Sequence, residues 1–159
     1  WSTFSSYMLT ENMQLNVVLT PINDKVIIVK NSNGNAYLPD WDYNGIGDMQ
    51  VGQGYYIKTY QSTSLEICGE YQLPEENSIE LNAGWNIIGY LRLDSANIAD
   101  VFDEITDNDN LIVAKDYTGN AYLPEWNYNG IGDIIPGEGY QIKVVVSDSL
   151  HFLPNYQDY

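Results

Sequence analysis

Residues 26–69 read VIIVKNSNGNAYLPDWDYNGIGDMQVGQGYYIKTYQSTSLEICG, and residues 111–154 read LIVAKDYTGNAYLPEWNYNGIGDIIPGEGYQIKVVVSDSLHFLP. Each residue of the first stretch aligns with the residue 85 positions later, so that Trp41 pairs with Trp126, and about half of the pairs are identical. Self-similarity at a fixed spacing indicates copies of one supersecondary unit. The chain is therefore predicted to contain two pseudo-symmetric copies of a small unit.

Short apolar runs separated by turn residues predict the strands of each unit. Val26–Lys30 is typical of a buried strand, Asn33-Gly34 of a hairpin turn, and Tyr55–Thr59 of a returning strand. Each has its counterpart 85 residues later. A last strand is predicted at Ser64–Cys68 in the first copy and at Ser149–Leu153 in the second.

A first strand and one helix complete each predicted unit. The first strands are expected within Trp1–Leu9 and Trp85–Leu93, which share an aromatic start and apolar alternation. Thr10 is the expected N-cap of the first helix, and Asp94 or Ser95 that of the second. Each helix carries one apolar stripe at i, i+3, i+4, i+7, formed by Leu15, Val18, Leu19 and Ile22 or by Ile98, Val101, Phe102 and Ile105. The predicted fold class is mainly β (α+β), with about five strands and one helix in each copy.

The repeat divides the chain into repeat unit 1 at residues 1–72, a short polar connector at residues 73–82 and repeat unit 2 at residues 83–159. A unit of about 75 residues is small for an independent hydrophobic core. We therefore expect the two units to pack on each other, or each to be stabilised by a neighbour.

Composition disfavours several classes of partner. The chain has 22 acidic and 6 basic residues and a formal net charge of −16, so like-charge repulsion disfavours nucleic acid and anionic lipid. No apolar run approaches the length of a transmembrane helix, and no membrane insertion is predicted. Acidity does leave carboxylates that could bind divalent cations.

The chain offers few side chains for catalysis. Cys68 is the single cysteine, so no disulfide can form within the chain, and its counterpart Leu153 predicts a buried structural role. His151 is the single histidine, and its counterpart is Glu66. Neither a Cys/His nucleophile nor a histidine metal site can be built twice from these residues. The protein is therefore predicted not to be an enzyme.

One segment has the beginning of a calcium-binding loop. Asp40, Asp42 and Asn44 alternate before Gly45, and Asp48 follows at the ninth position. The bidentate Glu required at the twelfth position is replaced by Val51. The alternative is that Asn44 and its counterpart are turn residues that bind the local backbone. Both hypotheses stand at this point: a calcium site, or a turn that needs no cofactor.

The repeated aromatic residues also allow two interpretations. Small β units use large aromatics in their cores, whereas exposed rings beside Asp and Asn are typical of sugar-binding sites. If the rings bind a ligand, Trp41, Tyr43, Trp126 and Tyr128 are the candidate binding residues, with the two tryptophans expected to be the most exposed. The full set is Tyr37, Trp41, Tyr43 and Tyr55 with Tyr122, Trp126, Tyr128 and Tyr140.

Two motifs resemble those of a known family. Gly84-Trp-Asn-Ile-Ile-Gly-Tyr90, followed by a short helix and by Gly137-Glu-Gly-Tyr-Gln-Ile-Lys143, is similar to tandem β-rich modules. Such modules occur in large secreted or surface proteins of environmental, especially marine, bacteria, and similar ones occur in some phage structural proteins. The first copy departs from this form at its start, Trp1–Ser5. The resemblance implies an extracellular, cell-surface or virion-associated building block.

The expected function is accordingly that of a non-catalytic structural or interaction module in such an assembly. Its partners would be other proteins or further copies of the chain. The alternative is a carbohydrate-binding module that recognises a glycan through the repeated aromatic residues.

Overall fold

A computed structural model describes all 159 residues of the chain. Repeat unit 1 contains one α-helix, α1 (Leu15–Val18), and a 3-10 helix at Thr20–Lys25 follows it. A second 3-10 helix covers Pro39–Trp41. The strands of this unit are β1 (Ser2–Ser5), β2 (Met8–Leu9), β3 (Val26–Lys30), β4 (Ala36–Leu38), β5 (Tyr43–Asn44), β6 (Gly54–Thr59) and β7 (Glu70–Tyr71).

The second half of the chain keeps the order of the main sheet strands and adds further short elements. Its helices are α2 (Ile98–Val101) and α3 (Asp103–Asp107), and 3-10 helices lie at Pro74–Glu76 and Pro124–Trp126. The strands are β8 (Ile79–Leu81), β9 (Gly84–Gly89), β10 (Ala96–Asn97), β11 (Leu111–Lys115), β12 (Ala121–Leu123), β13 (Tyr128–Asn129), β14 (Asp133–Ile134), β15 (Gly139–Val144) and β16 (Asp148–Leu150).

Each half builds one five-stranded antiparallel sheet. The order is β1-β6-β3-β4-β5 in the first half and β9-β15-β11-β12-β13 in the second. Corresponding strands hold corresponding places, since Ser2 faces Ile57 in one sheet and Asn86 faces Ile142 in the other. The prediction of a mainly β fold with two pseudo-symmetric copies is confirmed.

The predicted helical stripes are buried, whereas the predicted caps are wrong. Gln14 precedes α1 without a side-chain cap, and Thr10 lies outside the helix. Asn97 caps α2 by accepting a hydrogen bond from the Ala99 N–H at 3.0 Å, which displaces Asp94 and Ser95 from that role. All eight stripe residues have at most 9% of their surface exposed.

Two hydrophobic clusters lie under the two sheets. The first half holds a cluster of 10 buried residues, and the second half holds one of 18. Ile79 and Leu81 of β8 belong to the larger cluster, and β8 pairs with β16. The stretch predicted as a connector, 73–82, thus contributes a strand and two core residues to the second half.

The last predicted strand forms in only one copy. Asp148–Leu150 is paired because β8 faces it, whereas Ser64–Cys68 faces no strand and is irregular. Cys68 is exposed, so the buried structural role predicted for it is wrong. Ile67 and Leu65, rather than Cys68, pack partly against the core of the first half.

The two sheets meet in a contact with approximate twofold symmetry. The Ser5 N–H donates to the Gly137 carbonyl and the Gly89 N–H donates to the Gly52 carbonyl, each at 2.9 Å. Ser5 and Gly89 are equivalent by strand register, and Gly52 and Gly137 are 85 residues apart. Each unit therefore gives the other the same pair of backbone groups, which confirms that the copies pack together.

The unusual start of the first copy lies at this contact. Thr3 Oγ1 donates to the Gly139 carbonyl at 2.7 Å, and Ser5 Oγ donates to the Glu138 carbonyl at 2.6 Å. The equivalent positions in the second copy are Ile87 and Gly89, which have no hydroxyl. The two copies are thus complementary rather than identical where they touch.

Glycines permit the close approach of the two sheets. A Cβ on Gly54 would lie 2.6 Å from Ile87 Cγ2 and 2.7 Å from the Ile88 carbonyl oxygen. A Cβ on Gly89 would lie 2.4 Å from the Cβ of Ser5. Residues with side chains at these positions would force the sheets apart.

None of the helices is both long and apolar enough to cross a membrane.

Candidate functional site

The repeated aromatic residues divide into a buried and an exposed set of four. Tyr37, Tyr55, Tyr122 and Tyr140 are at most 7% exposed and belong to the two cores. The Tyr55 hydroxyl accepts a hydrogen bond from the Gln50 N–H at 2.8 Å, and Tyr140 repeats this with Ile135. Tyr55 and Tyr140 therefore hold the glycine-rich loops, and none of the four buried tyrosines can serve as a ligand platform.

The other four are the ligand-binding candidates from the sequence, and they lie on the surface. Trp41 is 80% exposed, Trp126 76%, and Tyr43 and Tyr128 are 54% exposed. We call Trp41 with Tyr43, and Trp126 with Tyr128, the two outer-edge patches. Tyr43 and Tyr128 begin β5 and β13, the edge strands of the two sheets. The exposure predicted for the tryptophans is present.

The structure does not bring the two outer-edge patches into one site. The units touch through β1, β6, β9 and β15, while β5 and β13 each lie three strands away within their own sheets. Strands are spaced by about 4.8 Å, which separates each patch from the contact by roughly 14 Å. The molecule thus presents two similar aromatic surfaces at its outer edges.

Local packing holds one ring of each patch in place. A Cβ on Gly45 would lie 2.5 Å from the Tyr43 hydroxyl oxygen, and one on Gly130 would lie 2.7 Å from that of Tyr128. Each tyrosine ring therefore rests against a glycine backbone and leaves its other face open. The residue after each tryptophan, Asp42 or Asn127, adopts a left-handed conformation with φ of 47° or 49°.

The candidate calcium ligands are engaged in local hydrogen bonds. Asn44 Oδ1 accepts from the Gly47 N–H at 2.9 Å, and Asn44 Nδ2 donates to the Gly47 carbonyl at 3.2 Å. Asn129 repeats the first bond with Gly132 at 2.8 Å. These contacts are those of an asparagine turn, the second of the two interpretations of this segment.

Two of the three aspartates of the same segment accept hydrogen bonds, each from a different partner. Asp40 accepts a hydrogen bond from the Tyr60 hydroxyl at 3.1 Å, and this bond raises the pKa of Tyr60. Asp48 accepts from the Gln14 side-chain amide. Asp42 has the left-handed backbone noted above. No group of three or more His, Cys, Asp or Glu side chains is placed to hold a metal ion.

Four of the six basic side chains surround two other tryptophans. Lys30 and Lys58 place their Nζ atoms 5.7 and 5.8 Å from the ring centre of Trp1. Lys115 and Lys143 lie 5.4 and 5.7 Å from that of Trp85. Such cation–π contacts stabilise exposed rings. In the repeat, Lys30 aligns with Lys115 and Lys58 aligns with Lys143. The sequence does not show that the two lysines of one unit contact the same tryptophan, because this depends on strand register.

A polar cleft of about 550 Å³ lies between the two units, and the sequence analysis missed it. We call it the inter-unit cleft. Residues 31–35 of the β3–β4 turn form one wall, and Ser78, Glu80, Asn82 and Asn86 from the second half form the other. Asp48, Gln50 and Gln53 also line the cleft. Its polar residues lie far apart in the sequence, so only the packing of the units brings them together.

A smaller aromatic pocket of about 130 Å³ adjoins the inter-unit cleft. It is lined by Tyr56 of the first unit and Trp85 of the second, and it shares Asn31, Ser32 and Asn86 with the cleft. Trp85 is 47% exposed. The cleft and this pocket are thus neighbours, the first lined largely by amides and the second by two rings.

His151 and Cys68 are both exposed and occupy non-equivalent positions in the aligned segments of the two halves. Comparison of the chain with protein-family models, with curated proteins and with solved structures found no match in any of the three. The resemblance to tandem β-rich modules therefore stays a prediction from the sequence motifs.

Proposed function

We propose that the protein is a non-catalytic interaction module of an extracellular or cell-surface assembly, which includes the surface of a virion. The observation that carries this proposal is the pair of outer-edge patches. Exposed tryptophan and tyrosine are enriched where protein surfaces bind partners. The same two rings occur in the same local geometry at both ends of the tandem sheet arrangement.

The arrangement suits a connecting role. The inner faces of the two units are occupied by their mutual contact, whereas the outer edges remain free. A partner protein, or a further copy of the chain, can engage each end through similar chemistry. The acidic surface disfavours nucleic acid as that partner.

Sedimentation velocity over a wide concentration range tests this proposal on the chain with and without its neighbouring sequence. We expect association that the Trp41→Ser/Trp126→Ser double variant abolishes. Tyr156→Ser is the matched control, because Tyr156 is 83% exposed but lies outside both patches. A monodisperse monomer at high concentration, whatever sequence flanks the chain, would refute the proposal.

A carbohydrate-binding function is the second candidate, because each outer-edge patch has acidic or amide neighbours. Asp40 and Asp42 flank Trp41, and Glu125 and Asn127 flank Trp126. A ring face beside such groups suits sugar stacking with hydrogen bonds to hydroxyls. Quenching of tryptophan fluorescence by marine polysaccharides, lost in the same double variant, would support this candidate; a silent glycan array would eliminate it.

A further inference from the structure

We propose that the inter-unit cleft binds a neutral saccharide, with Trp85 and Tyr56 contacting one sugar ring and the amide side chains contacting its neighbours. This site is separate from the outer-edge patches. It does not depend on the proposed function, and the two can fail independently.

The first argument is that several polar side chains in the cleft have no partner in the protein. Asn33, Asn35 and Asn82 take part in hydrogen bonds only through their backbone groups, and the side chain of Gln53 makes no hydrogen bond. All four line the cleft. Their donors and acceptors face solvent, ready for a ligand rich in hydroxyl groups.

The equivalent turn of the second copy shows that this is a specific feature of the first. Asp116 there accepts hydrogen bonds from the side chains of Thr118 and Asn120 as well as from their backbone N–H groups, at 2.8 to 2.9 Å. Burial raises the pKa of Asp116, but these bonds outweigh that effect and hold it below its usual range. The side chains of this turn are therefore engaged with one another.

In the first copy Asn31 replaces that carboxylate. Its Oδ1 accepts only the backbone N–H groups of Asn33 and Asn35, at 3.1 and 2.9 Å. The turn keeps its shape, since Gly34 has a φ of 83° and Gly119 one of 96°. The side chains of Asn33 and Asn35 are released from the turn, and they line the cleft.

The second argument is the combination of ring and amide surfaces. Sugars present apolar C–H faces that stack on aromatic rings and hydroxyls that need paired donors and acceptors. The pocket at Trp85 and Tyr56 shares its lining residues Asn31, Ser32 and Asn86 with the cleft. A chain of two or more sugar rings could therefore contact both parts.

Size and charge narrow the class of ligand. The cleft volume of about 550 Å³ falls in the range of small-ligand sites, which is roughly 300–1,000 Å³. Asp48 and Glu80 line the cleft, no basic side chain does, and the whole chain has a net charge of −16, so uronates and sulfated sugars are repelled there. Lys115 and Lys143 lie beside Trp85 and outside this lining. A neutral saccharide avoids this repulsion and can donate hydroxyl protons to both carboxylates.

An array of neutral and acidic glycans, followed by calorimetry and ¹⁵N NMR with the best neutral hexasaccharide, tests the proposal. We expect shifts in the side-chain amide signals of Asn33, Asn35, Gln53 and Asn82. Loss of two ligand hydrogen bonds in Asn33→Ala/Asn35→Ala should weaken binding about tenfold or more. The matched control is Thr118→Ala/Asn120→Ala, the same positions in the second copy, which should bind as the wild type does.

A further pair of variants separates this site from the outer edges. Trp85→Ala should weaken saccharide binding, and Tyr156→Ala, at an exposed ring outside the cleft and outside both patches, should leave it unchanged; loss of binding in Trp126→Ala would instead place the saccharide at an outer edge. The proposal is overturned if no neutral glycan binds, if only acidic glycans bind, or if Asn33→Ala/Asn35→Ala binds as tightly as its control. It is also overturned if binding is lost in Trp126→Ala rather than in Trp85→Ala.

Discussion

The contact between the sheets makes a sharp prediction about two equivalent glycines. In Gly54→Ala the new Cβ would lie 2.7 Å from the Ile88 carbonyl oxygen and 2.6 Å from Ile87 Cγ2. A backbone oxygen cannot rotate away as a side chain can, so the sheets must separate. In Gly139→Ala the nearest atoms lie 3.1–3.4 Å away, which small shifts can accommodate. Neither glycine has a positive φ, so the comparison isolates packing.

Overpacking of this kind costs about 1–3 kcal/mol, and alanine recovers about 0.4–1 kcal/mol through the unfolded state. Because the backbone clash in Gly54→Ala cannot relax, we expect overpacking at the top of its range and a net loss of about 2–2.5 kcal/mol. For a chain of this size that lowers Tm by roughly 4–10 °C. The free energy of unfolding of Gly139→Ala should stay within about 1 kcal/mol of the wild-type value, because the lower entropy of its unfolded chain nearly offsets a mild clash in the fold.

Thermal and urea unfolding of both variants, followed by circular dichroism and tryptophan fluorescence, measure these differences. Trp1 and Trp41 report on one unit and Trp85 and Trp126 on the other, so two-stage unfolding in Gly54→Ala would reveal uncoupled units. Equal melting temperatures for the two variants would refute the packing described for the sheets, as would a greater loss in Gly139→Ala.

Three further predictions concern stability. Asn97→Ala should cost about 1 kcal/mol by removing the cap of α2, measured by urea unfolding; no loss would contradict the capping role. Burial raises the pKa of Tyr90 to about 12 although Arg92 lowers it in part, and the ordinary value is 10.0. The unfolded chain therefore loses the proton first, so this contribution to stability is complete below pH 10 and is lost as pH rises toward 12. Tyr90→Phe should flatten that decline in alkaline urea titrations, and an unchanged slope would contradict the assignment. EDTA should leave Tm unchanged because Asn44 and Asp48 bind local groups; a fall that calcium reverses would restore the calcium hypothesis.

Much of the fold follows from the sequence because the core is periodic. The apolar stripe from Leu15 to Ile22 and the alternation in Tyr55–Thr59 each have one favourable way to be buried, and the duplication tests every assignment twice. Caps and the last strand depend on tertiary partners instead. β16 forms because β8 faces it, and no local pattern distinguishes it from Ser64–Cys68.

The candidate sites divide in the same way. The exposure of Trp41 and Trp126 could be anticipated, since polar turn residues surround both. The inter-unit cleft could not, because Asn33 and Asn82 meet only after two units have docked. The one local signal was the substitution of Asn31 for the aspartate found in the other copy, and its meaning depends on hydrogen bonds that sequence does not display.

The twofold relation between the units limits how an array could grow. Ser5 and Gly89 each satisfy the other unit's carbonyl, so this surface is saturated within a single chain and leaves no copy of itself for a third unit. A contact with this closed twofold symmetry joins two units and cannot add a third. Any filament, lattice or fibre containing this protein must therefore be joined through other faces, and the rings beside β5 and β13 are among those left in solvent.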